Sequence, residues 1–171
     1  MEDLKSHAIV KTHELALKGK NRPWFMRKLT DNLRTATKGS GVERVWQGQL
    51  MVGLTLSDEE CWPEVKSRIK DVFGVAKFYK AYEMPRDLDD LKKRLPRMLE
   101  GRSFNSFRIT TNRADKRYPM KSEEFNRDLG AFLKDLTGAQ VILKNPDISI
   151  YVDIQPKSFL VYFDEVKAHG G

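Results

Sequence analysis

Residues 42–56, Val42-Glu43-Arg44-Val45-Trp46-Gln47-Gly48-Gln49-Leu50-Met51-Val52-Gly53-Leu54-Thr55-Leu56, decide the fold. Two short runs rich in apolar and β-branched residues, about 42–47 and 50–56, meet at Gln47-Gly48-Gln49. Such runs around a short glycine-containing connection read as two neighbouring strands. Upstream of them, Pro23 suits the first turn of a helix, where a missing N–H costs nothing. Phe25, Leu29, Leu33 and Ala36 then recur at helical spacing, with Arg27, Arg34 and Lys38 on a different face, and Gly39-Ser40-Gly41 ends the run. Further back, HAIVKTH at 7–13 reads as a first strand. Downstream, Ser57-Asp58-Glu59-Glu60 has the spacing of a capping box. Trp62, Val65, Ile69 and Val72 make the apolar face of a second helix that Gly74 terminates. Pro63 implies a late start or a bend. VAKFYKAY at 75–82 reads as a fourth strand.

The order β-α-β-β-α-β is the split, ferredoxin-like pattern. Met84-Pro85 marks the passage to a second unit. That unit opens with a helix over about 86–99, bearing Leu88, Leu91, Leu95 and Leu99, which Pro96 kinks or shortens. Residues 106–112 alternate Phe107, Ile109 and Thr111 against Arg108, Thr110 and Asn112, the period of a half-buried strand. A basic loop, 113–121, leads to a helix capped by Ser122. Its apolar face is Phe125, Leu129, Phe132, Leu133 and Leu136, and Gly138 ends it. Three strands follow at about 140–144, 148–154 and 158–164, with Asn145-Pro146-Asp147 and Gln155-Pro156-Lys157-Ser158 as turns. The fold class is α+β. Neither a repeat nor a low-complexity segment is present.

The 171 residues suit one ordinary domain or two small ones, and 40% hydrophobic content supplies a core. No apolar run approaches the roughly 20 residues that span a bilayer. The N-terminus has no signal-peptide pattern, so a cytoplasmic location is expected. The single cysteine, Cys61, beside Trp62, excludes an internal disulfide and a cysteine-cluster zinc site, and reads as a structural thiol. A net charge of +7 favours polyanionic partners without choosing among them.

Two basic loops concentrate that charge. Lys18-Gly19-Lys20-Asn21-Arg22 lies between a strand and a helix start, where free N–H groups make a phosphate seat. Asn112-Arg113-Ala114-Asp115-Lys116-Arg117-Tyr118-Pro119-Met120-Lys121 puts four cations and one aromatic ring at a second such junction. Lysine and arginine hold phosphates, and Tyr or Arg stacks on an unpaired base. The alternative for both is a solvated charged loop. His7, His13 and His169 are too scattered for a metal, so no metal site is expected. Asp87, Asp89 and Asp90 fit an acidic helix start better than a metal cluster. Trp24 reads as core or interdomain packing ahead of a base-stacking platform. Asn145 and Asp147 read as turn formers.

These motifs together bring a family into view. Glu14-Leu15-Ala16-Leu17-Lys18-Gly19-Lys20-Asn21-Arg22 with Phe25 resembles the start of the tRNA 4-thiouridine synthetases, also called thiamine biosynthesis protein ThiI. Lys70-Asp71-Val72-Phe73-Gly74-Val75 with Lys77-Phe78 resembles the end of their ferredoxin-like domain. Arg113 to Met120 with Ser122-Glu123 resembles their THUMP signature, and Lys144-Asn145-Pro146-Asp147 that domain's later motif. The resemblance implies an N-terminal ferredoxin-like domain over 1–84, a THUMP domain over 85–167, and a linker beginning at 168–171. It implies binding of the tRNA acceptor stem and its 3′ CCA end, so that a catalytic ATP-pyrophosphatase domain or subunit can insert sulfur at uridine 8.

The residues expected at RNA are Lys18, Lys20, Asn21, Arg22, Arg27 and Arg34 in the first unit. Those in the second are Arg108, Asn112, Arg113, Lys116, Arg117, Tyr118 and Lys121. The family's Ser-Gly-Gly-x-Asp-Ser phosphate loop is absent from these residues. No catalytic residue and no cofactor are therefore expected here, and ATP belongs to the catalytic domain. The family's homodimer is a further expectation. Two other readings are an adaptor that docks a different tRNA-modifying enzyme and a small acyl-phosphate enzyme of ferredoxin-like fold.

Overall fold

The computed structural model describes residues 4–12, 19–48 and 50–169. Two compact units emerge. One comprises Lys5–Ala81 together with the chain from Asp164 onward, and the other is built on Tyr82–Phe163 with Leu4.

The first unit runs β1 (Lys5–Lys11), α1 (Arg22–Ala36), β2 (Val42–Gly48), β3 (Met51–Leu56), a 3₁₀ turn (Glu59–Cys61), α2 (Trp62–Ile69) and the first part of β4 (Lys77–Met84). Its strand order is β2-β3-β1-β4, and β3 pairs antiparallel with both β1 and β2. This is the ferredoxin-like order that the alternation of strands and helices predicts. The core is Ala8, Val10, Met26, Leu29, Leu33, Val52, Leu54, Val65, Ile69 and Phe78, drawn from both helices and the sheet. Every residue of β3 is buried, Thr55 included.

Gly53 shows how tightly β3 is engaged. It pairs with Trp46 across the β2–β3 ladder, and a Cβ at Gly53 would lie 2.2 Å from the indole. The indole Nε1 donates to Thr55 Oγ1 at 3.1 Å, and the buried His7 ring meets that hydroxyl at 3.0 Å. His7 and Trp46 stand edge to face, 5.6 Å between centroids.

Local starts and stops differ from expectation in two places. Ser57 does not cap a helix; its N–H still donates to Gly41 O at 2.8 Å, at the end of the β2–β3 ladder. The extended residue Asp58 is the cap instead, accepting from Cys61 N at 3.0 Å. The 3₁₀ turn then hands over to α2, which begins at Trp62 with Pro63 in its first turn. Ser122 likewise lies inside its helix, with Lys121 at the cap position and no side-chain cap bond.

The second unit contains the end of β4, α3 (Leu88–Met98), β5 (Ser106–Arg113), α4 (Ser122–Thr137), β6 (Gln140–Val141), β7 (Ile148–Ile154) and β8 (Phe159–Tyr162). The strand order is β4-β8-β7-β5-β6, with β5 parallel to β6 and β7 and the other pairs antiparallel. Asp87 caps α3, accepting from the N–H groups of Asp89 at 2.9 Å and Asp90 at 3.2 Å. The three aspartates are therefore a helix start. Pro96 removes the bond to the carbonyl four residues back, and α3 ends at Met98. Gly138 closes α4 in the left-handed conformation, φ +75°. Phe107, Phe125, Leu129, Leu133, Ile150, Val152 and Phe159 fill the core. Leu136, expected on the apolar face of α4, is exposed.

Only two residues of the strand expected at 140–144 pair. The chain end adds β9 (Glu165–Lys167), which returns to the first unit and pairs with Lys77–Tyr79 of β4.

Replacing Gly53 by alanine must displace a ring whose Nε1, next to the crowded Cε2, is hydrogen-bonded to Thr55. Gly53→Ala should cost about 1–3 kcal/mol in a urea melt, and the penalty should shrink in a Trp46→Ala background. Equal penalties in both backgrounds would show that Trp46 is not the constraint.

Candidate nucleic-acid surfaces

In the first unit, α1 begins at Arg22 after a turn in which Arg22 N reaches Gly19 O at 3.4 Å, with Gly19 at φ +88°. Its first turn holds no acidic residue, whereas α2, α3 and α4 carry Glu64, Asp89 with Asp90, and Glu123 with Glu124 there. Acidic side chains complement the partial positive charge of a helix N-terminus. The start of α1 instead gathers Lys20, Asn21 and Arg22, all exposed. Arg27 and Lys28 continue the exposed basic face. Arg34 is also exposed and pairs with Asp31 at 2.9 Å. Lys18 lies outside the described residues.

Near the other end of α1 is an open cleft of about 610 Å³, lined by Arg34, Thr35, Thr37, Lys38, Gly39, Val42, Glu43, Arg44 and Val45.

In the second unit the loop after β5 folds around Asp115. Its side chain is only 8% exposed. Its Oδ1 accepts from Arg117 N at 3.1 Å and from Arg117 Nε at 3.0 Å. Its Oδ2 accepts from Arg86 Nη1 at 2.8 Å. The same Arg86 nitrogen reaches the carbonyls of Gln155 at 3.0 Å and Pro156 at 2.6 Å, so it ties the loop to the β7–β8 turn. Asp115 N donates to Ile154 O at 3.0 Å. The hydrogen bonds from Arg117 and then Arg86 hold the Asp115 carboxyl well below the usual carboxylate range. The Arg117 guanidinium is raised in turn by Asp115.

These bonds decide what the loop shows to solvent. Asn112, Lys116, Arg117 and Lys121 face outward, with the Arg117 side chain 83% exposed. Arg113 faces the loop itself: its Nε donates to Tyr118 O at 3.0 Å and its Nη2 to Lys116 O. Arg108 donates to Leu143 O at 3.0 Å and Ser149 Oγ at 3.1 Å, bracing β5 against the 143–149 segment.

Residues 7–79 match the model of the ThiI ferredoxin-like domain, and residues 85–164 match that of the THUMP domain. The chain is a ThiI ferredoxin-like domain joined to a THUMP domain. It is 45% identical to a probable tRNA sulfurtransferase of Thermus thermophilus over 93% of this chain and 38% of the relative. It is 31% identical to a probable tRNA sulfurtransferase of Thermotoga maritima over 100% of this chain and 43% of the relative. It thus spans well under half the length of these curated relatives. A solved 4-thiouridine synthetase–RNA complex with bound ATP superposes with a TM-score of 0.78 at 26% identity, covering 99% of this chain and 43% of that one.

Within the THUMP domain the structure corrects one expected contact outright. Tyr118 is not an exposed stacking ring. It is buried edge-on against Phe159 at 5.8 Å and Phe125 at 6.3 Å, with the Arg86 guanidinium 5.0 Å from its centroid. Burial pushes its hydroxyl above its ordinary value. Pattern alone could not foresee this, because the loop's aromatic faces inward only once Arg86 closes over it. Arg113 is spent on carbonyls of its own loop, and Arg108 on the Leu143 carbonyl and the Ser149 hydroxyl, so both position the surface more than they form it. Asp147 is structural as expected: its Oδ2 accepts from Asn105 N at 2.8 Å and Ser106 N at 3.2 Å, while Asn145 takes φ +56°.

In the ferredoxin-like domain, Trp24 is 60% exposed, so it is not a core residue. Sequence reasoning missed Arg86 and Asp115, the pair that shapes the THUMP loop, and Lys28. The signal for the first two was an isolated acid inside a basic loop. Among the described residues, no His, Cys, Asp and Glu gather as a metal site. No described helix is long and apolar enough to cross a membrane.

A carboxyl lowered by folding stabilises the folded state above its unfolded value, here near 3.8, and that contribution fades as pH falls below it. The melting-temperature gap between parent and Asp115→Asn should therefore be widest at neutral pH and narrow below about pH 4. A gap that stays constant through pH 3 would show that Asp115 is not ionised in the clamp.

Proposed function

We propose that this chain binds tRNA and presents it for thiolation, without catalysing the sulfur transfer itself. The observation that carries the reading is the braced THUMP loop, which holds Lys116, Arg117 and Lys121 outward at fixed positions beside β5. Similarity to named tRNA sulfurtransferases and to an RNA-bound synthetase supports it. The exposed cations at the start of α1 and along its outer face offer a second phosphate-binding surface. Phosphates of an acceptor stem would meet Lys20, Arg22 and Arg27, and the unpaired 3′ CCA end would lie by Asn112, Lys116, Arg117 and Lys121.

An A-form stem is read by shape and by its phosphates, because its deep major groove is closed to side chains. Uridine 8 would be the thiolated base. The ATP-dependent chemistry would come from a catalytic pyrophosphatase domain or subunit, in a homodimer and in the cytoplasm. The reading requires no cofactor among the residues of this chain.

The test is a titration of a labelled acceptor minihelix, with and without CCA, at 50 and 200 mM salt. Affinity should fall more than about tenfold across that range, because each neutralised phosphate releases counterions. It should also weaken without CCA. Lys116→Ala with Lys121→Ala should weaken binding and lower the salt slope by roughly one for each lost phosphate contact. The melting temperature should hold, since both residues are exposed. Salt-independent binding, or full affinity in the double variant, would defeat this assignment.

A further inference from the structure

The ferredoxin-like domain exposes two large aromatic rings at one end, Trp24 at 60% and Phe73 at 78%. Each is the chain neighbour of a residue in a close contact: the Phe25 ring comes within 3.2 Å of where a Cβ on Gly74 would stand. Neither exposure follows from a loose segment. Trp24 lies in the first turn of α1, between the cap and buried Met26. Phe73 is flanked by buried Val72 and by Gly74 at φ +95°, whose carbonyl accepts from Thr12 Oγ1 at 2.7 Å. Val75 N also closes the turn on Val72 O at 3.3 Å. The backbone thus holds the Phe73 ring in water.

Single exposed apolar side chains are ordinary. Two exposed aromatic rings at one end of a domain, with cations beside Trp24, are a narrower pattern. Arg27 and Lys28 stand three and four residues after Trp24, on the same helix face, and both are exposed. Flat rings beside cations are the means by which proteins hold unpaired nucleotides: a base stacks on the ring and its phosphates meet the charges.

We propose that Trp24 and Phe73 form a stacking platform for an unpaired RNA base, with Lys28 on a flanking phosphate. This assigns single-stranded RNA to the ferredoxin-like domain in addition to a duplex stem, and it rests on the RNA-binding reading above. A protein partner on the same rings would make them part of a dry apolar interface, and the cations beside Trp24 disfavour that occupant.

The experiment titrates the chain into a fluorescein-labelled eight-residue oligoadenylate and, separately, a labelled blunt RNA duplex, following the anisotropy of the label, with the tryptophan emission of the parent as a second readout. Trp46 and Trp62 are half-buried, so the exposed Trp24 dominates quenching by acrylamide. Oligoadenylate should quench the emission and protect it from acrylamide. Trp24→Ala and Phe73→Ala should each weaken oligoadenylate binding about tenfold, as expected for loss of one stacked base. Both should leave duplex binding within about twofold and the melting temperature unchanged. If the parent binds both RNAs and the two variants match it, the platform is overturned and the RNA-binding reading stands. Equal loss of both RNAs in the variants overturns it too. If the folded parent binds neither RNA, the RNA-binding reading falls and takes the platform with it.

Discussion

One buried carboxylate organises the THUMP loop. Asp115 sits among two guanidinium groups and the backbone N–H of Arg117, and every other feature of the loop follows from that. Arg86 can reach it only from the short link between β4 and α3, so the start of the domain is tied to its middle. Closing that link lays the Arg86 plane over Tyr118, which drives the ring into the core against Phe125 and Phe159. With the ring inside, Arg113 turns back to the loop carbonyls, and Lys116, Arg117 and Lys121 are left facing outward. A buried acid that lacked both arginines would carry an uncompensated charge, which is costly. The acid in the middle of a basic loop is thus what makes the loop a surface of defined shape.

The two domains solve the problem of holding cations in different ways. In the THUMP domain a network of ion pairs braces the loop, and some arginines are consumed in the bracing. In the ferredoxin-like domain the cations ride on a regular helix, whose backbone bonds already fix their spacing. Its first turn lacks the acidic residues that α2, α3 and α4 carry. That turn therefore keeps its positive potential, and the exposed Trp24 sits within it.

Much of the architecture was legible from the pattern. The apolar periodicities of α1, α2 and α4, the alternation of β5, and the Gly138 stop all correspond to what folding does with those residues. The motifs around Lys20–Arg22, Arg113–Met120 and Asn145–Asp147 pointed to the family. Less legible were the capping positions. Ser57 and Asp58 are both competent caps one residue apart; Asp58 takes the role, while Ser57 is still tied to the sheet end through its N–H to Gly41 O. The strand expected over 140–144 shortens to two residues, since beyond Val141 the chain turns toward Asn145, and Arg108 takes the Leu143 carbonyl. Neither outcome can be read from a local window, because each depends on a group far away in sequence.

The sequence by itself determined the order of helices and strands, the apolar faces that build each core, the excess of positive charge and its concentration at two strand-to-helix junctions. Those are properties of neighbouring residues, and period and composition express them directly. Only the tertiary structure decided which polar and aromatic side chains remain available. Tyr118 went inward and Trp24 outward, Arg113 and Arg108 turned to partners within their own domain, and β9 returned to β4. The reason is physical: burial and hydrogen-bond partnership are settled by groups dozens of residues apart, such as Arg86 with Asp115 and Pro156, whose meeting no spacing in the chain announces.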